Sequence, residues 1–96
     1  MTVREQLLVI LMEECSELQK EAAKALRFGL GDVCYKLNTS NAENIVGEFA
    51  HVCAMVEMLG DDLPELDIGK IVADKKAKVM KWMQYSAEVG TLDESK

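Results

Sequence analysis

Apolar residues recur along this chain at helical spacing. Leu7, Ile10, Leu11, Leu18, Ala22 and Ala25 fall on one stripe of a segment running from about Thr2 to Phe28. Gly29 and Gly31 end it, because glycine readily takes the left-handed cap conformation. Residues 29–41 form a polar connection, and its Asn38-Thr39-Ser40-Asn41 run favours turns and helix caps. A second helix is expected from Ser40 or Asn41, where Ser40 and Glu43 have the spacing of a capping box. It carries Ile45, Phe49, Val52, Val56 and Leu59 and stops at Gly60-Asp61-Asp62. Pro64 suits the first turn of a third helix, expected from about Glu65 to Glu88 with Ile68, Ile71, Val72, Val79 and Met83 apolar. Gly90 closes it, and residues 91–96 are expected to be a flexible tail.

Three helices with short links predict an all-α fold, a helical bundle or half of a larger one. The expected organisation is a single domain over residues 1–90. A domain this small has a thin core, so completion by further copies of the chain is expected. Composition agrees with helices: apolar mass comes from Leu, Val, Ile, Ala and Met, while aromatic residues are few. The three cysteines, Cys15, Cys34 and Cys53, are odd in number and lack metal-type spacing. They point to a reducing, cytoplasmic setting rather than a disulfide framework. No secretory leader or membrane-spanning run is read from the sequence.

Charge adds the chemistry. The formal net charge of −6 disfavours broad nucleic-acid binding. Glu13, Glu14, Glu17 and Glu21 crowd the first helix, whereas Lys75, Lys76, Lys78 and Lys81 crowd the third. At about 100° per residue, Glu14 projects between Leu7 and Ile10, the middle of the apolar stripe, with Glu17 at its edge. On the second helix Glu48 projects between Met55 and Leu59, with His51 one turn along. Residues three apart are neighbours on a helix, so Glu14 with Glu17 and Glu48 with His51 form two pairs. A buried carboxylate needs compensation, and a divalent cation shared by the two pairs would supply it. Acids on solvated helix faces are the bland alternative, as is a solvated lysine face for the third helix.

Glu13-Glu14-x-x-Glu17 followed by Glu48-x-x-His51 resembles the EExxE…ExxD signature of MazG-like all-α nucleoside triphosphate pyrophosphohydrolases. Leu26-Arg27-Phe28-Gly29, Asn41 seven residues before Glu48, and Lys81-Trp82-Met83-x-Tyr85-Ser86 extend the likeness over most of residues 7–90. The resemblance implies cleavage of an NTP or dNTP between the α and β phosphates, giving a monophosphate and pyrophosphate. It implies Mg²⁺, or Mn²⁺, held at Glu14, Glu17, Glu48 and the position of His51. Glu13 and Glu14 are the implied catalytic acids, Glu13 orienting water or neighbouring groups. Lys24, Arg27, Asn41, Lys78 and Lys81 are the candidates for contacting the nucleotide, and a homo-oligomer, dimer or tetramer, is implied. His51 stands where the family carries Asp, replacing a hard anionic ligand by a neutral nitrogen. Two other readings remain: a catalytically silent nucleotide- or metal-binding module with a regulatory role, and a structural interaction bundle.

Overall fold

The protein is described by a computed structural model over residues 1–93. It is mostly helical and all-α: α1 spans Val3–Phe28, α2 Asn41–Leu59 and α3 Ile68–Glu88. Two short strands, β1 (Val33–Cys34) and β2 (Thr39–Ser40), lie between α1 and α2, and a 3₁₀ turn, Gly60–Asp62, follows α2. No helix among the described residues is long and apolar enough to cross a membrane.

The described chain divides into two compact units, Met1–Leu63 and the part from Pro64 onward. In the first, both long helices begin with a capping box. Thr2 accepts from the Glu5 backbone N–H at 3.1 Å, and the Glu5 carboxylate accepts from the Thr2 N–H at 3.0 Å. Ser40 and Glu43 repeat this arrangement at 3.0 and 3.1 Å. Each box satisfies donors that a helix start otherwise leaves unpaired.

The connection between α1 and α2 is more ordered than its polar composition suggests. Gly29, at φ 99°, ends α1 while its N–H donates to Ala25 O at 2.8 Å. Strands β1 and β2 pair antiparallel, Val33 opposite Ser40 and Cys34 opposite Thr39. Asn38 takes a left-handed φ of 57° at the turn, a conformation asparagine tolerates. Asn41 is buried, and its Nδ2 donates to Gly29 O at 2.9 Å, tying the start of α2 to the end of α1.

Helices α1 and α2 pack against each other as an antiparallel pair. Contacts run along its length: Gly29 with Asn41 at the hairpin end, Glu14 with His51 further down, and Arg4 with Asp62 at 3.5 Å at the far end. Among the described residues only Met55 and Leu59 are buried apolar side chains. Leu7, Ile10, Leu11, Leu18, Ile45 and Val52 are half-buried. The expected α2 stripe is therefore only partly covered, since Phe49 (57% exposed) and Val56 (41%) face outward. The apolar arc of α2 is broader than one neighbouring helix can cover.

The second unit is built on α3. This helix begins at Ile68 rather than at Glu65, because the Asp67 carboxylate caps it by accepting from the Lys70 N–H at 3.0 Å. Pro64 accordingly lies ahead of the helix. Lys70 pairs with Asp74 one turn on at 3.2 Å, and the Lys75 ammonium sits 4.8 Å from the centre of the Trp82 ring. Ile68, Ile71, Val72 and Met83 are exposed, and Val79 is half-buried. Thr91 and Leu92 are tied back to Ser86 O through their N–H groups. The expected tail reaches residues 94–96, which lie outside the described residues.

Candidate metal centre

Glu14 on α1 and Glu48 on α2 both sit in the apolar seam that joins these helices, and both are half-buried. His51, three residues after Glu48, lies on the neighbouring turn with its ring more exposed. Its Nδ1 is 3.1 Å from Glu48 Oε2 and 3.5 Å from Glu14 Oε2. The imidazole thus bridges carboxylates from two helices that are far apart in sequence. One ligand atom from each of the three residues lies within 4.8 Å of the others.

This geometry fits a small divalent cation. Ligands about 2.1 Å from a shared octahedral ion lie roughly 3 Å apart when adjacent and about 4 Å apart when opposite. The measured separations fall in or close to that range, so small side-chain rotations would close the shell. The donor set is two hard oxygens and one borderline nitrogen, which Mn²⁺ accepts more readily than Mg²⁺. Partial burial of the carboxylates strengthens their pull on a cation by excluding part of the screening water.

The remaining candidates are distributed as follows. Glu17 and Glu13 are exposed on α1, and Glu17 is not among the three residues whose ligand atoms converge. Lys24 is half-buried, with Nζ 3.2 Å from Glu21 Oε1. Arg27 is exposed, its guanidinium 5.7 Å from the centre of the Phe28 ring. Asn41 spends an amide hydrogen on Gly29 O. Lys78 and Lys81 are exposed on α3, where Lys78 lines a shallow dent with Ile71, Asp74 and Lys75.

Two polar residues of this helix pair escaped the sequence reading. Glu21 is 8% exposed, and its Oε2 is buried without a hydrogen-bond partner. Asn44 has a buried Nδ2 that likewise lacks a partner. A signal for Glu21 was present: seven residues are nearly two full turns, so it points within about 20° of Glu14.

No family model, curated protein or solved structure matches the chain.

Proposed function

We propose that this chain is a metal-dependent nucleoside triphosphate pyrophosphohydrolase of the MazG-like type, acting on an NTP or dNTP. The observation that carries the reading is the convergence of Glu14, Glu48 and His51 from two helices into one ligand-sized cluster. Glu14 comes from the first half of the EExxE…ExxD-like motif and Glu48 and His51 from the second, so the cluster draws on both halves, without Glu13 and Glu17.

Bound at this cluster, Mg²⁺ or Mn²⁺ would neutralise phosphate charge and lower the pKa of a water near the phosphorus to be attacked. Glu14, Glu48 and His51 would hold that ion on the packed α1–α2 pair. Glu17, one turn from Glu14, is close enough in sequence to add a fourth ligand by rotating inward. Glu13 orients the attacking water or its neighbours. Lys24 and Arg27, further along α1, are the candidates for stabilising charge that develops on the departing phosphates. Asn41 holds the α1–α2 junction against which the nucleotide rests.

The working form is a homo-oligomer in this reading. Val46, Phe49 and Val56 follow one another at helical spacing on α2, and all three are exposed in a single chain. Leu26 (90% exposed), Phe28 and Leu30 are further exposed apolar residues at the end of α1. Exposed apolar area on this scale marks an association surface, and a second copy would cover it.

A silent regulatory module is the second reading. It is favoured by His51, which already bridges both carboxylates and could hold them together without a cation. A screen of the common nucleoside triphosphates for pyrophosphate release, with Mg²⁺ and with Mn²⁺, separates the two. The enzyme reading expects metal-dependent release from at least one nucleotide. Metal binding without turnover on any of them favours the silent module.

A further inference from the structure

The hairpin end of the α1–α2 pair displays apolar side chains that the pair itself leaves uncovered. Leu26, Phe28 and Leu30 lie where α1 ends, and Val33, Tyr35 (86% exposed) and Leu37 lie on the hairpin. Local collapse does not hide them, because backbone bonds hold this connection in place. The Asn41 N–H donates to Asp32 O and the Ala42 N–H to Leu30 O, both at 2.9 Å, and the Asn38 N–H donates to Cys34 O at 2.7 Å. The strand pairing and the Asn41 side chain on Gly29 O add to this hold.

Basic side chains gather at the same end. Met1–Leu63 contains five, and four of them, Lys20, Lys24, Arg27 and Lys36, fall between residues 20 and 36. That stretch holds only two of the unit's eleven acids, Glu21 and Asp32. Glu21 is buried and paired with Lys24. Glu43, at the start of α2, is engaged in its capping box with the Ser40 N–H. Lys20, Arg27 and Lys36 are exposed, and among the described residues none of them pairs with a carboxylate. The remaining length of α1 and α2 carries the other acids and one base, Arg4. The sequence interleaves charge with apolar surface at the hairpin end: Arg27 stands between Leu26 and Phe28, and Lys36 between Tyr35 and Leu37.

We propose that the hairpin end is a docking surface for an anionic lipid bilayer, on which the protein sits peripherally. A bilayer interface places anionic headgroups beside acyl chains within a depth of about 5–10 Å. Leucines and aromatics interleaved with Lys and Arg match that combination. Arg27 and Lys36 meet the headgroups, while Leu26, Phe28, Tyr35 and Leu37 enter the boundary, Tyr35 keeping its hydroxyl on the wet side. The acids of α1 do not oppose this. At about 1.5 Å per residue Glu17 stands roughly 14 Å behind Leu26, beyond the screening length of about 8 Å at physiological salt. A second copy of the chain fits this end less well. Two hairpin ends brought together set like cations against each other, and a hairpin end on a partner's acidic end repeats without closing. The α2 arc of Val46, Phe49 and Val56 remains for that contact. The lipid assignment is independent of the nucleotide reading.

Flotation of the full chain with phospholipid vesicles tests this, using phosphatidylcholine alone and an equimolar mixture of phosphatidylcholine and phosphatidylserine. The wild type is expected to float with the mixed vesicles, not with the neutral ones, and to be released as salt rises. Lys36→Glu and Leu37→Ser, both at exposed positions of the hairpin, should each weaken binding by about tenfold, with native helix content by circular dichroism. Lys76→Glu on α3, the same charge change away from the hairpin, should leave binding close to that of the wild type. Failure of the wild type to float with either vesicle overturns the proposal and leaves this end to a protein partner. Equal binding to both vesicles overturns it as well, as does a loss in Lys76→Glu equal to that in Lys36→Glu. Light scattering without lipid identifies the rival occupant. A mass that falls in Leu37→Ser would place another copy of the chain on this end and overturn the lipid assignment.

Discussion

His51 is the residue on which the chemistry turns. It supplies a nitrogen where the motif it resembles offers a carboxylate, and its Nδ1 stands within 3.5 Å of both Glu14 and Glu48. His51→Asp replaces that nitrogen by a hard anionic oxygen, so it should raise Mg²⁺ affinity and narrow the advantage of Mn²⁺. Titrating both ions into wild type and variant checks this; an unchanged ratio of affinities would place His51 outside the shell. Glu14→Gln and Glu48→Gln should each abolish metal-dependent pyrophosphate release while circular dichroism shows unaltered helix content. Glu14 and Glu48 were legible in the sequence because a carboxylate inside an apolar stripe has to be explained. Glu21 was not, although it is the more buried. It falls in a crowd of acids, and crowding hides direction unless each side chain is projected on the helix. Asn44 could not be found at all, because an unused amide hydrogen has no signature in a sequence.

Helix ends and connections form the next level. Both capping boxes join a hydroxyl to a glutamate three residues on, and the one at Ser40 was expected from that spacing alone. Ser40→Ala should cost about 1 kcal/mol, read as a lower denaturation midpoint at unchanged slope. At Thr2, hydrogen bonds from the Thr2 backbone N–H and the Thr2 hydroxyl hold the Glu5 carboxyl below its ordinary range. A carboxyl whose folded pKa is depressed stabilises the fold above its unfolded pKa and loses that contribution as pH falls through the folded value. Amide exchange in the first turn of α1 should therefore quicken in acid relative to the helix centre, and Glu5→Gln should flatten this dependence. In the sequence, the hairpin within residues 29–41 shows only as a polar connection. Strands of two residues are too short to show an alternating pattern, and what holds them is backbone bonding around Asn38 and Gly29. Pro64 suits a first turn and points to a start of α3 three residues early, whereas the side chain of Asp67 is what caps the helix.

At the scale of the whole molecule, the burial pattern bears most directly on association. Helical periodicity locates apolar stripes, but it cannot say how many neighbours cover them. A chain whose only buried apolar side chains among the described residues are Met55 and Leu59 leaves much of its apolar surface exposed. Light scattering at micromolar concentration should give a mass that is a multiple of 10.7 kDa. Phe49→Lys should shift the species toward the monomer or lower its stability, as a charge placed in a buried interface would. A wild-type monomer, or a variant with unchanged mass and midpoint, would count against this surface.

Metal-dependent chemistry here requires that Glu14, Glu48 and His51 act together as one cation site. The most direct measurement is a calorimetric Mn²⁺ titration of the wild type beside Glu48→Gln, with helix content checked for both. The prediction is saturable binding in the wild type and its loss in the variant, which keeps the shape of the side chain and removes only its charge. No binding heat in the wild type, or the same binding in Glu48→Gln, would contradict the site.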